Sequence, residues 1–176
     1  MSGEIDEPVA VRPYDPGWPE RFARERVRLA DGLGPLARGI EHIGSTAVPG
    51  LDAKPVVDVL VGVDGPLDGH PALAAVAALG YESFGEAGVP GRRHFRRRAP
   101  GDDVNVHVVE HGGEVWADNL LLRDHLRAHP DEARAYAEAK RRAAAAAPES
   151  LLRYSDLKAD VVRALVARAR AERGPA

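Results

Sequence analysis

Along residues 20–36, Phe22, Val27, Leu29, Leu33 and Leu36 recur near helical spacing among Arg and Glu. That period predicts an amphipathic helix with the apolar stripe turned inward. Ahead of it, Pro13, Pro16, Gly17 and Pro19 frame a turn with Tyr14 and Trp18 as anchors, and the polar residues 1–7 before Pro8 are expected to be loose. Gly39 ends the helix and residues 40–43 start a first strand. Residues 47–54 read as a loop, and 55–63 as a near-continuous aliphatic strand, the pattern of burial on both faces. After a turn at 64–69, residues 71–79 read as a helix on the sheet. Residues 81–84, 93–98 and 104–110 are strand candidates, punctuated by Pro90-Gly91 and Pro100-Gly101. The rest is helical: 115–128 ending at Pro130, 131–146, and 154–170 with Leu157, Val161, Leu165 and Arg168 along one face. Acids open the 131–146 helix and Lys140, Arg141 and Arg142 lie toward its end, matching the macrodipole. The expected fold is α+β: a mixed β-sheet flanked by helices, with a helical C-terminal third. The domain reading is a flexible N-terminus over 1–8 and a single domain over 9–176.

Composition narrows the function classes. The 176 residues are 44% hydrophobic and 29% charged with formal net charge -3, ordinary values for a globular domain. A slightly acidic total offers no footprint for duplex nucleic acid. With no Cys, disulfides, thiolate metal sites and cysteine nucleophiles drop out, which suits the cytosol. No segment approaches the roughly 18 uninterrupted apolar residues of a membrane span. A cytoplasmic protein without a membrane partner is the expectation.

One acid changes the picture. Asp58 stands inside the apolar run VVDVLV, where an ionised carboxylate costs several kcal/mol unless something pairs with it. Upstream, Gly44-Ser45-Thr46 forms a small-residue turn whose backbone N–H groups can approach phosphate oxygens. A phosphate loop followed by a strand acid able to hold Mg²⁺ is the local chemistry of nucleotidyl transfer. Lys54 borders the strand, as a phosphate neutraliser or as an exposed salt-bridging lysine. Residues 92–98 carry five arginines in seven positions. Alternation puts Arg92, His94, Arg96 and Arg98 on one side and Arg93, Phe95 and Arg97 on the other. Arg93 and Arg96 are the expected contacts to an anion, since guanidinium forks bind phosphate bidentately.

The segments EHIGSTAVPGLDAKPVVDVLV, HFRRR, VNVHVVE, LLRDHLRAHPDEARAYAEAKRRAA and YSDLK closely resemble the GrpB-like family of the nucleotidyltransferase-fold superfamily. The resemblance spans residues 9–166 and implies a nucleotidyltransferase-like fold. Some family members look like extensions of dephospho-coenzyme A kinase, which points toward nucleotide metabolism. The superfamily pattern is a hydrophobic residue, Gly, then Gly or Ser, followed on the next strand by acid, hydrophobic, acid. Ile43-Gly44-Ser45 and Asp58-Val59 match; Leu60 stands where the second acid belongs. A third ligand is implied on a later strand, where Asn105 and His107 of VNVHV share a face. His107 is then a candidate for cation or phosphate contact, and His42 a weaker one. The fingerprint LLRDHLRAHP brings Arg123 toward the cleft, against a charged helix surface as the plain alternative. Tyr154 and Lys158, also i,i+4, read as a helix cap and a surface lysine, with a cleft-facing pair as the alternative.

Two functions follow. In the first, the phosphates of a nucleoside triphosphate lie over Gly44, Ser45 and Thr46, with Lys54, Arg93, Arg96 and Arg123 offsetting charge. Asp58 and His107 are then catalytic, Asp58, Asn105 and His107 hold Mg²⁺, and a nucleotidyl group passes to a small-molecule or protein hydroxyl. In the second, the cleft lacks the second carboxylate at Leu60 and only recognises a nucleotide or phosphorylated metabolite.

Overall fold

Five strands, β1 (Gly39–Ile43), β2 (Val57–Val63), β3 (Glu82–Ser83), β4 (Arg92–Arg97) and β5 (Val104–Glu110), form one sheet in the order β1-β2-β5-β4-β3. They come from a computed structural model that describes residues 6–174. β2 and β5 run parallel and every other pairing is antiparallel, so the sheet is mixed. Five helices flank it: α1 (Trp18–Leu33), α2 (Pro71–Ala78), α3 (Glu114–Ala128), α4 (Pro130–Ala146) and α5 (Leu151–Arg173). The α+β architecture with a helical C-terminal third is as the periodicities predict. Among the described residues no helix is long and apolar enough to cross a membrane.

Strand β2 divides the molecule. Val57, Val59, Val61 and Val63 are fully buried in the main core with α1 and α2, together with Phe95 and Val104, Val106 and Val108. The opposite face holds Leu60, Ile43, Val109 and Trp116. Helix α3 reaches the sheet here because Gly39 and Gly62, paired across β1 and β2, leave the space that the Trp116 ring fills.

Helix α1 begins with Pro19 in its first turn, where the missing N–H costs nothing, and its inward face is Trp18, Glu25, Leu29 and Leu33. Val27, expected inward, is 61% exposed. The stripe spaced 18-22-25-29-33 excludes it, and Glu25 takes that inward place by accepting Arg97 Nη2 at 2.8 Å. Likewise Leu157 is exposed on α5, whose buried residues are Tyr154, Leu165 and Ala169. Strand β3 is only two residues long, at the sheet edge. Of the lead-in expected to be loose, residues 1–5 lie outside the described residues. Asp6 and Glu7 are engaged: Asp6 accepts Ser150 Oγ at 2.9 Å and Leu152 N at 3.0 Å, and Glu7 pairs with Arg96 and Lys54.

Candidate functional site

The alternation that buries the β2 valines turns Asp58 to the other face, toward α4 and α5. In the parallel register Asp58 lies opposite Asn105 and Leu60 opposite His107, so both polar residues of β5 share the carboxylate's side. Asp58 Oδ1 accepts Asn105 Nδ2 at 2.9 Å and pairs with His107 Nε2 at 3.0 Å. On the other side of the ring, His107 Nδ1 faces His94 Nδ1 at 3.4 Å and Arg92 Nη1 at 3.5 Å. Burial alone would raise the Asp58 carboxyl. The hydrogen bond and charge of His107, with Asn105 and His94, outweigh it and hold the acid well below the usual carboxylate range. Asp58 is therefore an anion, with its side chain 26% exposed. Burial first, then His107 and Arg92, push His94 down to about 3, so that ring is neutral.

The turn before β2 closes on this acid. Gly44 has φ 71° and ψ -171°, a conformation available in practice only to glycine, and a Cβ there would lie 2.8 Å from Asp58 Oδ2. Ser45–Ala47 follow as one 3₁₀ turn. The Thr46 hydroxyl bonds His42 Nε2 at 2.9 Å, and His42 stacks on Phe22 of α1 at 4.7 Å. Thus His42 props the turn from the α1 side, where burial pushes it down to about 4. Tyr136 of α4 borders the same hollow as Gly44 and Ser45. Gly44→Ala is expected to lower unfolding free energy by about 3 kcal/mol, from backbone strain and displacement of the carboxylate. Urea unfolding measures it; a loss no greater than that of Ser45→Ala would show that the contact is not tight.

Between this wall and the C-terminal helices opens a cleft of about 590 Å³. Lys54, Arg92, Arg96, Lys140 and Lys158 line it against the acids Asp58 and Asp156. Ser45, Asp58 and Lys158 also line an adjoining hollow of about 120 Å³ that Gly44 and Arg123 share. The Lys158 ammonium sits 4.7 Å from the Tyr154 ring, and no carboxylate among the described residues is within ion-pair distance of it. Burial lowers its pKa against the pull of Asp58. Tyr154 and Lys158 both line the cleft, so the cleft-facing pair holds and the helix cap and surface lysine do not.

Most of the residues singled out in the sequence converge here: Gly44, Ser45, Thr46, Lys54, Asp58, Arg96, Asn105 and His107 border one or both hollows. Arg93 does not. It shares the strand face of core residue Phe95 and pairs with Asp68 and Glu86 on the far side of the sheet. Its neighbours Arg92 and His94 take the cleft side instead. Arg96 lines the cleft with its fork occupied by Glu7 and Asp103. Arg123 bonds Glu41 Oε2 at 2.8 Å and the His42 carbonyl at 3.2 Å, tying α3 to β1. Tyr136 and Lys140 carry no site signal in the sequence; their i,i+4 spacing on α4 becomes part of the wall only through the packing of α4 against α5.

For Mg²⁺ the donor set is spare. Asp58 Oδ1 is taken by two N–H donors, leaving Oδ2; Leu60 is fully buried among apolar side chains. Asn105 Oδ1 is buried without a partner and is the other available oxygen. These suit one ion completed by water and phosphate oxygens, since Mg²⁺ is commonly held by one or two carboxylates plus substrate phosphates. They do not provide the bridging carboxylates of a metal pair.

The family model described as GrpB protein matches residues 8–168. A UPF0157 protein of Streptomyces coelicolor is 42% identical over 165 residues, covering 94% of this chain and 86% of that protein. The crystal structure of conserved protein GrpB from Enterococcus faecalis aligns with TM-score 0.80 and 32% identity, over 91% of this chain and 96% of that one. A dephospho-CoA kinase of Mycolicibacterium paratuberculosis is 31% identical over 161 residues, which is 77% of this chain but 40% of the kinase. With nearly its whole length inside the family model and a fold shared from end to end, the chain belongs to the GrpB family.

Proposed function

We propose that the cleft binds the phosphate groups of a nucleotide, on a nucleotidyltransferase-type fold whose second strand acid is absent. The observation that carries this is the charge of the opening: Arg92, Lys140 and Lys158 line it with no carboxylate in ion-pair reach among the described residues, whereas Lys54 and Arg96 are already paired with Glu7. A cation 4 Å from a phosphate oxygen contributes about 4 kcal/mol at the effective dielectric of a partly buried site. Lys158, with no carboxylate partner among the described residues, is the anchor; Arg92 and the Ser45 and Thr46 N–H groups complete the cradle, the Ala47 N–H being taken by the Gly44 carbonyl. The name of the kinase relatives, whose substrate is itself a nucleotide derivative, supports the same ligand class.

A second reading, nucleotidyl transfer, is favoured by the Asp58–His107 pair. A carboxylate held ionised beside a phosphate cradle has Oδ2 free for one Mg²⁺ or for an acceptor hydroxyl. The ion would neutralise the developing charge of an in-line displacement. His107 and Asn105 would fix the carboxylate, and the cationic wall would align the phosphates.

Thermal unfolding with a panel of nucleotides, each with and without Mg²⁺, tests both. A ligand at 100 times its Kd adds about 2.7 kcal/mol. Stabilisation independent of Mg²⁺ that Lys158→Met weakens at least tenfold supports binding. A Mg²⁺-dependent increment that Asp58→Asn removes, with nucleotide consumed, supports transfer. No shift with any nucleotide, while circular dichroism shows folded protein, rejects the nucleotide ligand.

A further inference from the structure

We propose that His125 Nδ1, His129 Nε2 and Glu172 Oε2 form a binding site for a transition-metal dication of the zinc class, joining the C-terminal ends of α3 and α5. His125 and His129 stand four residues apart, the second at the α3 C-cap, with rings stacked at 4.2 Å. That spacing puts both imidazoles on one helix face. Glu172, in the last turn of α5, meets them: its Oε2 is 3.3 Å from His125 Nδ1 and 3.4 Å from His129 Nε2. All three atoms lie within 4.8 Å of one another. A tetrahedral zinc with bonds near 2.0–2.1 Å has ligand–ligand edges of roughly 3.3–3.4 Å. Two edges of that tetrahedron are thus present, and rotation of the half-exposed His129 ring closes the third.

The outer hydrogen bonds set the tautomers that a metal requires. His129 Nδ1 lies 2.9 Å from the His125 carbonyl, which can only accept, so that nitrogen carries the proton and Nε2 holds a lone pair. His125 Nε2 lies 3.2 Å from Glu132 Oε2, which Arg168 Nε also reaches at 2.9 Å, and this leaves His125 Nδ1 with its lone pair. Ligand imidazoles characteristically donate their second N–H to a carbonyl or carboxylate in this way. With both imidazoles neutral, the outcome is two lone pairs and an anionic oxygen aimed at one another, which a cation between them would satisfy. Imidazole with carboxylate suits zinc, nickel or copper better than magnesium. The fourth position faces solvent, since the His129 and Glu172 side chains are 38% and 52% exposed. None of the three lines the cationic cleft, so the site is separate from the proposed nucleotide site.

The test uses the full chain without an added histidine tag, dialysed against chelator. Titration with Co²⁺ is expected to give the intense visible absorption of tetrahedral coordination, saturating at one equivalent and displaced by Zn²⁺. His129→Ala and Glu172→Gln, both at exposed positions, are expected to weaken Co²⁺ binding by more than about tenfold, the loss that removing even an outer partner causes. Zn²⁺ is also expected to raise the thermal midpoint of the wild type and of neither variant. Absorption no stronger than that of aqueous Co²⁺, or binding that survives both substitutions in folded protein, overturns the proposal and leaves an ordinary His–Glu ion-pair network.

Discussion

Arg96→Met is expected to lower the unfolding free energy by about 3 kcal/mol, the low end of the cost of breaking a buried ion pair from one side. Arg96 is 4% exposed on β4; its Nη1 donates to Glu7 Oε1 at 2.7 Å and its Nη2 to Asp103 Oδ2 at 3.0 Å. Methionine keeps most of the stem's packing, so the loss is electrostatic. Glu7, at 22% side-chain exposure, and Asp103, at 32%, are each left with less than they need. Lys54 and Arg98 still reach Glu7, at 3.2 and 3.6 Å, which keeps the cost off the upper end. Adding Glu7→Gln is expected to recover part of the loss, because the uncompensated charge is then gone. Burial raises the Glu7 carboxyl, but Arg96 and Lys54 prevail and lower it. Its contribution is complete above its ordinary pKa of 4.5 and fades as pH falls through the lowered value, a slope that Arg96→Met flattens. Urea unfolding of the wild type, Arg96→Met and the double variant at pH 7 and pH 4 checks both statements. A single variant as stable as the wild type would mean that the triad carries no net energy.

The strands were legible because their periods are unambiguous. The aliphatic run of β2 can only be a strand buried on both faces, and its parallel partner VNVHV has the matching pattern. Helix ends were legible in part: Pro130 separates α3 from α4, but α1 stops at Leu33, well before Gly39, and α5 runs over Leu151–Arg173 where 154–170 is expected. What failed was the inward face of long amphipathic helices. Val27 and Leu157 look like core by type, but helix packing selects a stripe, and in α1 that stripe includes Glu25 because Arg97 arrives from β4 to meet it. A partner from another element has no signature in local sequence.

The site divides along the same line. Asp58 was visible as an energetic misfit in an apolar strand, and Asn105 and His107 through their shared parity on β5. The glycine at Gly44 was visible as part of a turn, but its contact with Asp58 was not. Arg93 and Arg92 differ only by which face of β4 turns to the core. Phe95 settles that: it is buried with the valines of β2 and β5, so Arg93 follows it and Arg92 and His94 face the cleft. The cationic wall from α4 and α5 depended on how three C-terminal helices stack, which no spacing rule gives.

Lys140→Met is expected to stabilise the protein at neutral pH and to lose that advantage in alkali. Lys140 is 1% exposed on α4, with its ammonium 4.9 Å from the Tyr136 ring and bonded to the Asp52 carbonyl. Burial, then the charge of Lys158, push its pKa down from 10.5 to about 7. Between those values the unfolded chain holds a proton that the folded chain has released, so unfolding takes up a proton and stability rises with pH across that window. Below about 7 both states are protonated and the penalty is complete, on the order of 4 kcal/mol; above 10.5 it is gone. Methionine removes the penalty but leaves the Asp52 carbonyl without its donor, a cost of about 1–2 kcal/mol. The two stability curves therefore cross: the variant is the more stable at pH 6.5 and the less stable at pH 10.5. Urea unfolding across that range reads the crossing, and parallel curves would place the Lys140 ammonium in a fully solvated setting. The same group connects stability to the proposed ligand. Lys140 lines the cleft, so a phosphate bound there favours its charged form, and nucleotide binding above pH 7 should take up a proton that the Lys140→Met variant does not.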